Sequence, residues 1–197
     1  MSEINPNQTR VLIGEARFSF LHVFKPRAAA QGADPKYSVM LLLPKEKTDV
    51  VGKIRAAIRA AYEAKPEIFN GKKPDPAKIP LKDGDTAFPD RPECAGCWVI
   101  NASAKTKPGI VKRGTVTKFT EITDENELWS GCYGYASVNF YAYSQAGNRG
   151  IGAGLNNLLL TRTGDYLGGR TSPESDFDGL DIPDAAPEDL PEEDDLF

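Results

Sequence analysis

One histidine, His22, in 197 residues leaves little for proton-transfer chemistry. No Ser/His/Asp or Cys/His arrangement is supported by a local pattern, so neither nucleophilic nor acid-base machinery is expected, and the chain is not expected to be an enzyme. Cysteine is scarce too: Cys94, Cys97 and Cys132 are an odd number, which fits a reducing compartment without structural disulfides. Cys94-Ala95-Gly96-Cys97 has the spacing of half a zinc site or of a redox pair. A closed tetrahedral site needs four ligands, and only Cys132 and His22 remain to complete one. A thioredoxin-type pair opens a helix, whereas this one opens an expected strand. Ordinary thiols, no metal and no cofactor follow. There is no run of about 18 apolar residues, which excludes a transmembrane helix. The opening MSEINPNQTR lacks the apolar centre of a signal peptide, so a cytoplasmic location is expected.

Basic residues are missing from Pro173 to Phe197, which holds 11 acidic residues and four prolines. Such a segment repels itself and has too little apolar surface to offset the entropy of ordering, so a disordered acidic tail is expected over 173–197. Residues 1–172 remain as one domain with a single core. They carry 24 basic and 17 acidic residues, net +7, against −11 for the tail. A pI near 5.2 therefore conceals a basic body suited to polyanions, or one that is merely well solvated.

The body reads as short strands. Arg10–Phe20 alternates, with Gly14 placed for a bulge or bend, and Lys36–Leu43 is a second strand ended by Pro44. Asp49–Lys65 switches to a period near 3.6, with Val51, Ile54, Ile58, Ala61 and Tyr62 on one face. Thr48 or Asp49 is its expected N-cap, and Pro66 stops it. Its basic outer face is either solvated or approaches phosphate. Six prolines between Pro66 and Pro92 predict a long irregular insertion with at most short helical turns. Cys97–Ala104 is a third strand, Ile110–Phe119 a fourth or a hairpin broken at Gly114, and Leu155–Arg162 the last. Five to six strands and one helix predict a mainly β, OB-like barrel, with a β-sandwich as the alternative.

From Tyr135, period two puts Tyr135, Ser137, Asn139, Tyr141 and Tyr143 on one face and Ala136, Val138, Phe140 and Ala142 on the other. The second set suits a core. The first offers rings that either stack on nucleic-acid bases or pack beneath a second layer. Five basic residues, Lys105, Lys107, Lys112, Arg113 and Lys118, crowd into 14 positions nearby in sequence. Gly147–Gly154, GNRGIGAG, meets neither the dinucleotide nor the P-loop spacing, and a strand follows it. These glycines are expected to form a tight turn and to let a partner's backbone approach, with Arg149 at the tip.

The runs Ala136-Ser137-Val138-Asn139-Phe140-Tyr141-Ala142-Tyr143, Gly147-Asn148-Arg149-Gly150-Ile151 and Gly154-Leu155-Asn156-Asn157-Leu158 resemble phage-encoded single-stranded DNA-binding proteins with an OB fold, long catalogued only as a domain of unknown function. Gly14–Phe20 and Lys36–Pro44 extend the resemblance across the body. It implies single-stranded DNA (ssDNA) binding in phage replication or recombination, in a host cell's cytoplasm. The tail is similar to those of ssDNA-binding proteins more widely, which implies recruitment of replication and recombination proteins, with Asp194, Asp195, Leu196 and Phe197 as the docking end. A merely solubilising tail is the other reading. For base stacking the candidates are Tyr135, Tyr141 and Tyr143, then Trp98 and Phe119; for phosphates, Lys105, Lys107, Lys112, Arg113, Lys118 and Arg149. Self-association on DNA stays open. A β-rich virion assembly protein and a module preferring duplex DNA or RNA are the rivals.

Overall fold

The computed structural model describes residues 6–167 except 116 and 146. The acidic tail, with Asp194, Asp195, Leu196 and Phe197, lies outside the described residues. In chain order the elements are α1 (Pro6–Thr9), β1 (Arg10–Arg27), β2 (Lys36–Pro44), α2 (Thr48–Glu63), β3 (Leu81–Asp83), α3 (Gly84–Ala87), β4 (Cys97–Ala104), β5 (Gly109–Arg113), β6 (Phe119–Glu121), β7 (Tyr133–Gln145) and β8 (Asn148–Arg162).

One sheet of eight strands runs β3-β4-β2-β1-β7-β8-β5-β6, and a parallel contact between Ser103 of β4 and Gly154 of β8 closes it. Five strands, β4, β2, β1, β7 and β8, thus return on themselves as a barrel, while β3 extends from β4 and the β5–β6 hairpin from β8. The expected OB-like barrel is what forms, and the two-sheet sandwich is not. The expected break at Gly114 is the hairpin turn, where the Gly114 N–H donates to the Lys118 carbonyl.

Alternation fills the barrel. Ala136, Val138, Phe140 and Ala142 of β7 are buried together with Val39, Leu41 and Leu43 of β2, Ile100 and Ala102 of β4, and Ile151, Ala153 and Leu155 of β8. Full burial of side chains such as Phe18, Ile100 and Phe140 stabilises by roughly 1.5–3 kcal/mol each. Helix α2 adds Val50, Val51, Ile54, Ala57, Ile58 and Ala61 to the same core. Its cap differs from expectation: Lys47 occupies the N-cap without a side-chain bond, so Thr48 and Asp49 are inside the helix, where Asp49 complements the positive end of the dipole.

Strand β1 also departs from simple alternation. Val11 and Ile13 face the core, the register against β7 shifts between Ile13 and Ala16, and from there Ala16 and Phe18 face inward. Gly14 sits at that shift, as expected of a bulge, but the bulge exchanges the two faces, so Leu12, which unbroken alternation would put on the same side as Phe18, ends 62 % exposed.

The proline-rich insertion is more ordered than expected. Three 3₁₀ turns, Pro66–Phe69, Pro76–Lys78 and Pro92–Cys94, each begin with a proline, and β3 pairs with β4. Lys45 Nζ donates to Asp83 Oδ1 and Asp85 Oδ2, both at 2.6 Å, and the Gly96 N–H donates to Asp85 Oδ1 at 2.8 Å. On the outer side of β2 and β4, Met40, Leu42 and Val99 pack with Cys94 and Phe88 in a second small core. Burial raises the thiol pKa of Cys94 and of Cys97, and both are free. Among the described residues no group of three or more His, Cys, Asp or Glu is placed to hold a metal, and no helix is long and apolar enough to cross a membrane.

Candidate nucleic-acid interface

Tyr141 and Tyr143 stand on the outer face of β7, where period two places them. Their cross-strand partners are Gly152 and Gly150 of β8. A Cβ at Gly152 would sit 2.6 Å from Tyr141 Cζ, and one at Gly150 would sit 2.9 Å from the Tyr143 hydroxyl oxygen. The rings therefore lie across glycine backbone, a bed that no other residue provides. The GNRGIGAG run is thus mainly a seat for this chain's own tyrosines, in addition to forming the turn at Gly147, φ +78°. Tyr141 remains 44 % exposed. Lys78, from the insertion, abuts Gly150 beside Tyr143.

Next to this aromatic strip the outer surface continues through cross-strand partners. Gly154 meets Ser103, Ser103 meets Ser38, and Ser38 meets His22. Ser103, Ser38 and His22 floor a cleft of about 790 Å³ between Gln145 at the tip of β7 and the loop from Arg27 to Lys36. Its far wall is Phe20. The β1 register shifts again between Ser19 and His22, Phe20 adopts φ +47°, and its ring stands 46 % exposed. A left-handed conformation is costly for a bulky residue and is held only where the surroundings impose it, commonly at binding sites. The Arg91 guanidinium lies 4.6 Å from the Phe20 ring centre and 5.4 Å from that of Phe88. Arg27 and Lys36 line the rim with Asp34. Among the described residues none of Arg27, Lys36, Lys78 and Arg91 is ion-paired, so their charge is free for an anion. Burial, and then Arg27 beside it, lower the His22 pKa below its usual value, so His22 adds no charge at neutral pH.

The sequence candidates fall in several places. Tyr141, Tyr143 and the exposed Arg149 share the hairpin end of β7 and β8. Tyr135 is six residues from Tyr141, roughly 20 Å along a strand. Its ring lies over Gly14, in a different cleft with Leu12, Arg10 and Lys53. Trp98 is on the inward-facing side of β4, packed against the main core and flanked by Lys45 at 5.6 Å and Arg55 at 5.2 Å. Lys105 and Lys107 are exposed in the turn after β4, and Lys107 lies 5.7 Å from the Phe24 ring. Arg113, Lys118 and the exposed Phe119 belong to the β5–β6 hairpin, where Lys118 lies over Phe119. Lys112 in that hairpin is ion-paired with Glu127. The basic cluster that is dense in sequence is thus spread over two elements.

Phe20, Arg27, Lys36, Lys78 and Arg91 escaped the sequence reading. Phe20 was hidden by bulges that break parity, and Lys78 and Arg91 lie in an insertion without a recognisable motif. Ser38 and Ser103 did carry a signal, as polar residues at the outward positions of KYSVMLLL and CWVINASA.

Over residues 9–191 the sequence matches the family described as Enterobacter phage Enc34, ssDNA-binding protein. It is 30 % identical over 181 residues, 88 % of this chain and 95 % of the other, to a putative protein p50 of Acyrthosiphon pisum secondary endosymbiont phage 1. The fold resembles the single-stranded DNA-binding protein from bacteriophage Enc34 in complex with ssDNA, with a TM-score of 0.67 and 27 % identity over 85 % of this chain and 97 % of that one. It also shares the fold of gp2.5, a single-stranded DNA-binding protein encoded by bacteriophage T7, with a TM-score of 0.51 and 15 % identity over 91 % and 97 % of the two chains. The family and these neighbours are binding proteins, a non-enzymatic class. The chain is a member of the Enc34-type family of phage single-stranded DNA-binding proteins.

Proposed function

We propose that this chain binds single-stranded DNA without sequence preference and serves phage replication or recombination in the host cytoplasm. The observation that carries the reading is the cleft beside β7: small polar residues form its floor, Tyr141, Tyr143 and Phe20 flank it, and unpaired Arg27, Lys36, Lys78 and Arg91 surround it. OB barrels take oligonucleotides on the corresponding face, between the loops that follow the first and fourth barrel strands. A flat ring accepts any base, and a cation accepts any phosphate, so such a surface binds without reading sequence. The relative whose structure resembles this one was solved with ssDNA, which supports the same ligand here. Residues 1–172 act as the DNA-binding unit. The segment 173–197 recruits replication or recombination proteins through Asp194, Asp195, Leu196 and Phe197, and it competes electrostatically for the basic body.

Titration with oligo(dT) at several salt concentrations tests the central claim. Affinity falls with salt at a log–log slope of roughly −0.7 per phosphate neutralised. Duplex DNA and RNA of equal length compete less well. No binding at low salt, or an affinity indifferent to salt, removes the reading.

A further inference from the structure

A second cleft, of about 420 Å³, opens where Leu21–Lys25, late in β1, face the connection between β6 and β7, with Tyr166 beside them. It shares His22 with the groove described above, so the two hollows meet at a single residue. We propose that this second cleft is a further stacking subsite, into which a single strand that fills the groove continues. The inference rests on the groove being an ssDNA site.

Its walls are aromatic and already arranged. The rings of Trp129 and Tyr166 are 4.8 Å apart and inclined by only 13°, a parallel stack. Trp129 is fixed from behind, because its indole N–H donates to the Gly164 carbonyl at 2.8 Å. Tyr166 is fixed by the chain, since the next N–H, of Leu167, donates to the Ser130 carbonyl at 2.8 Å and Leu167 packs into the outer core. A tyrosine held only for packing would turn its ring into that core. Tyr166 instead stays 37 % exposed, stacked on an anchored indole, where a base adds as one more layer without ordering a loose side chain.

Charge points to the same ligand. Lys107 lies over Phe24, which lines the cleft, and has no carboxylate partner among the described residues. Glu125, which also lines the cleft, would repel phosphate, but Lys25 neutralises it at 3.0 Å. A backbone passing on the Lys107 side, with its base turned toward Tyr166, avoids the acid and meets the cation. Lys107, remote in sequence from the tyrosines of β7, then serves the extension of the groove.

An extension acts only on strands long enough to reach it, which gives the test its form. Binding of dT4, dT8, dT12 and dT16 is measured by anisotropy for the full chain, for Tyr166→Ala, for Lys107→Gln and for Phe20→Ala, with thermal melting as the check on folding. Tyr166→Ala binds the shortest detectable oligonucleotide as the parent does and loses roughly 5- to 150-fold on the longer ones. Lys107→Gln lowers the salt slope by roughly 0.7 on long strands alone. Phe20→Ala weakens every length. If Tyr166→Ala binds all lengths as the parent does, or is weakened equally at all of them, the subsite is overturned while the groove stands. Failure of the parent to bind any length overturns both.

Discussion

A glycine under a ring and a glycine under a backbone behave differently when a methyl group is added, and β7 with β8 offers one of each. At Gly152 the new Cβ meets the far end of the Tyr141 side chain, which can lift away. Gly152→Ala is therefore expected to melt close to the parent while losing affinity for oligo(dT), because the ring no longer lies flat. Tyr141→Ala sets the scale of that loss, roughly 1–3 kcal/mol with an unchanged salt slope. At Gly134 the Cβ would collide with the Leu159 carbonyl and Phe18, so backbone must move. Gly134→Ala is expected to cost roughly 1–3 kcal/mol of stability, seen as a lowered Tm, with the affinity of the remaining folded protein intact. A Gly152→Ala protein that binds oligo(dT) like the parent would show that the ring's flat seat is irrelevant to binding. At this scale the sequence was legible where alternation is unbroken: Tyr141 and Tyr143 point outward and Phe140 inward, as period two requires. It was illegible at Phe20 and Leu12, whose exposure depends on two bulges in β1, only one of which is marked by a glycine.

Among the elements, the insertion between α2 and β4 gave the least away in sequence, since prolines say where a chain cannot be regular but not what it lies against. Its anchor is the triangle of Lys45, Asp83 and Asp85, with the Gly96 N–H on the Asp85 carboxylate. The hydrogen bond from Lys45, and then that from Gly96, hold the Asp85 pKa below the usual aspartate value. A carboxylate whose pKa is depressed by folding contributes stability that is complete above its unfolded pKa and is lost as pH falls through the lowered folded value. Acidification from about pH 4 downward should therefore loosen the insertion. Asp85→Asn should do the same at neutral pH. Hydrogen exchange measures both: the Gly96 amide exchanges faster while amides of the β1–β7 ladder do not. Equal protection of Gly96 in parent and variant would show that the carboxylate does not hold this segment. Because Arg91 and Lys78 reach the groove from the same insertion, loosening it should also weaken ssDNA binding. Helix α2, by contrast, was legible in Val51, Ile54, Ile58 and Ala61, though not in Val50 and Ala57, which are buried with them, nor at its cap, where Lys47 takes a place that Thr48 or Asp49 fits chemically.

For the molecule as a whole, the barrel and its number of strands were legible, but the pairing that closes it was not: it rests on Ser103 meeting Gly154, 51 residues apart, and no local pattern announces such a pairing. Charge is the property that belongs to this scale. The full chain is −4, yet its first 172 residues are +7 and its last 25 are −11, so a polyanion approaches a molecule that is acidic in sum and basic in its body. Electrostatic competition from the acidic segment is screened by salt, with a Debye length of about 10 Å at 0.1 M and about 3 Å at 1 M. Deleting 173–197 should therefore tighten oligo(dT) binding most at low salt and steepen the salt dependence, because fewer competing carboxylates occupy Arg27, Lys36 and Arg91 before the phosphates arrive. Near 1 M salt the truncated and full chains should converge on the affinity that stacking alone supplies. Equal affinities at low salt would mean that the acidic segment does not compete for the groove.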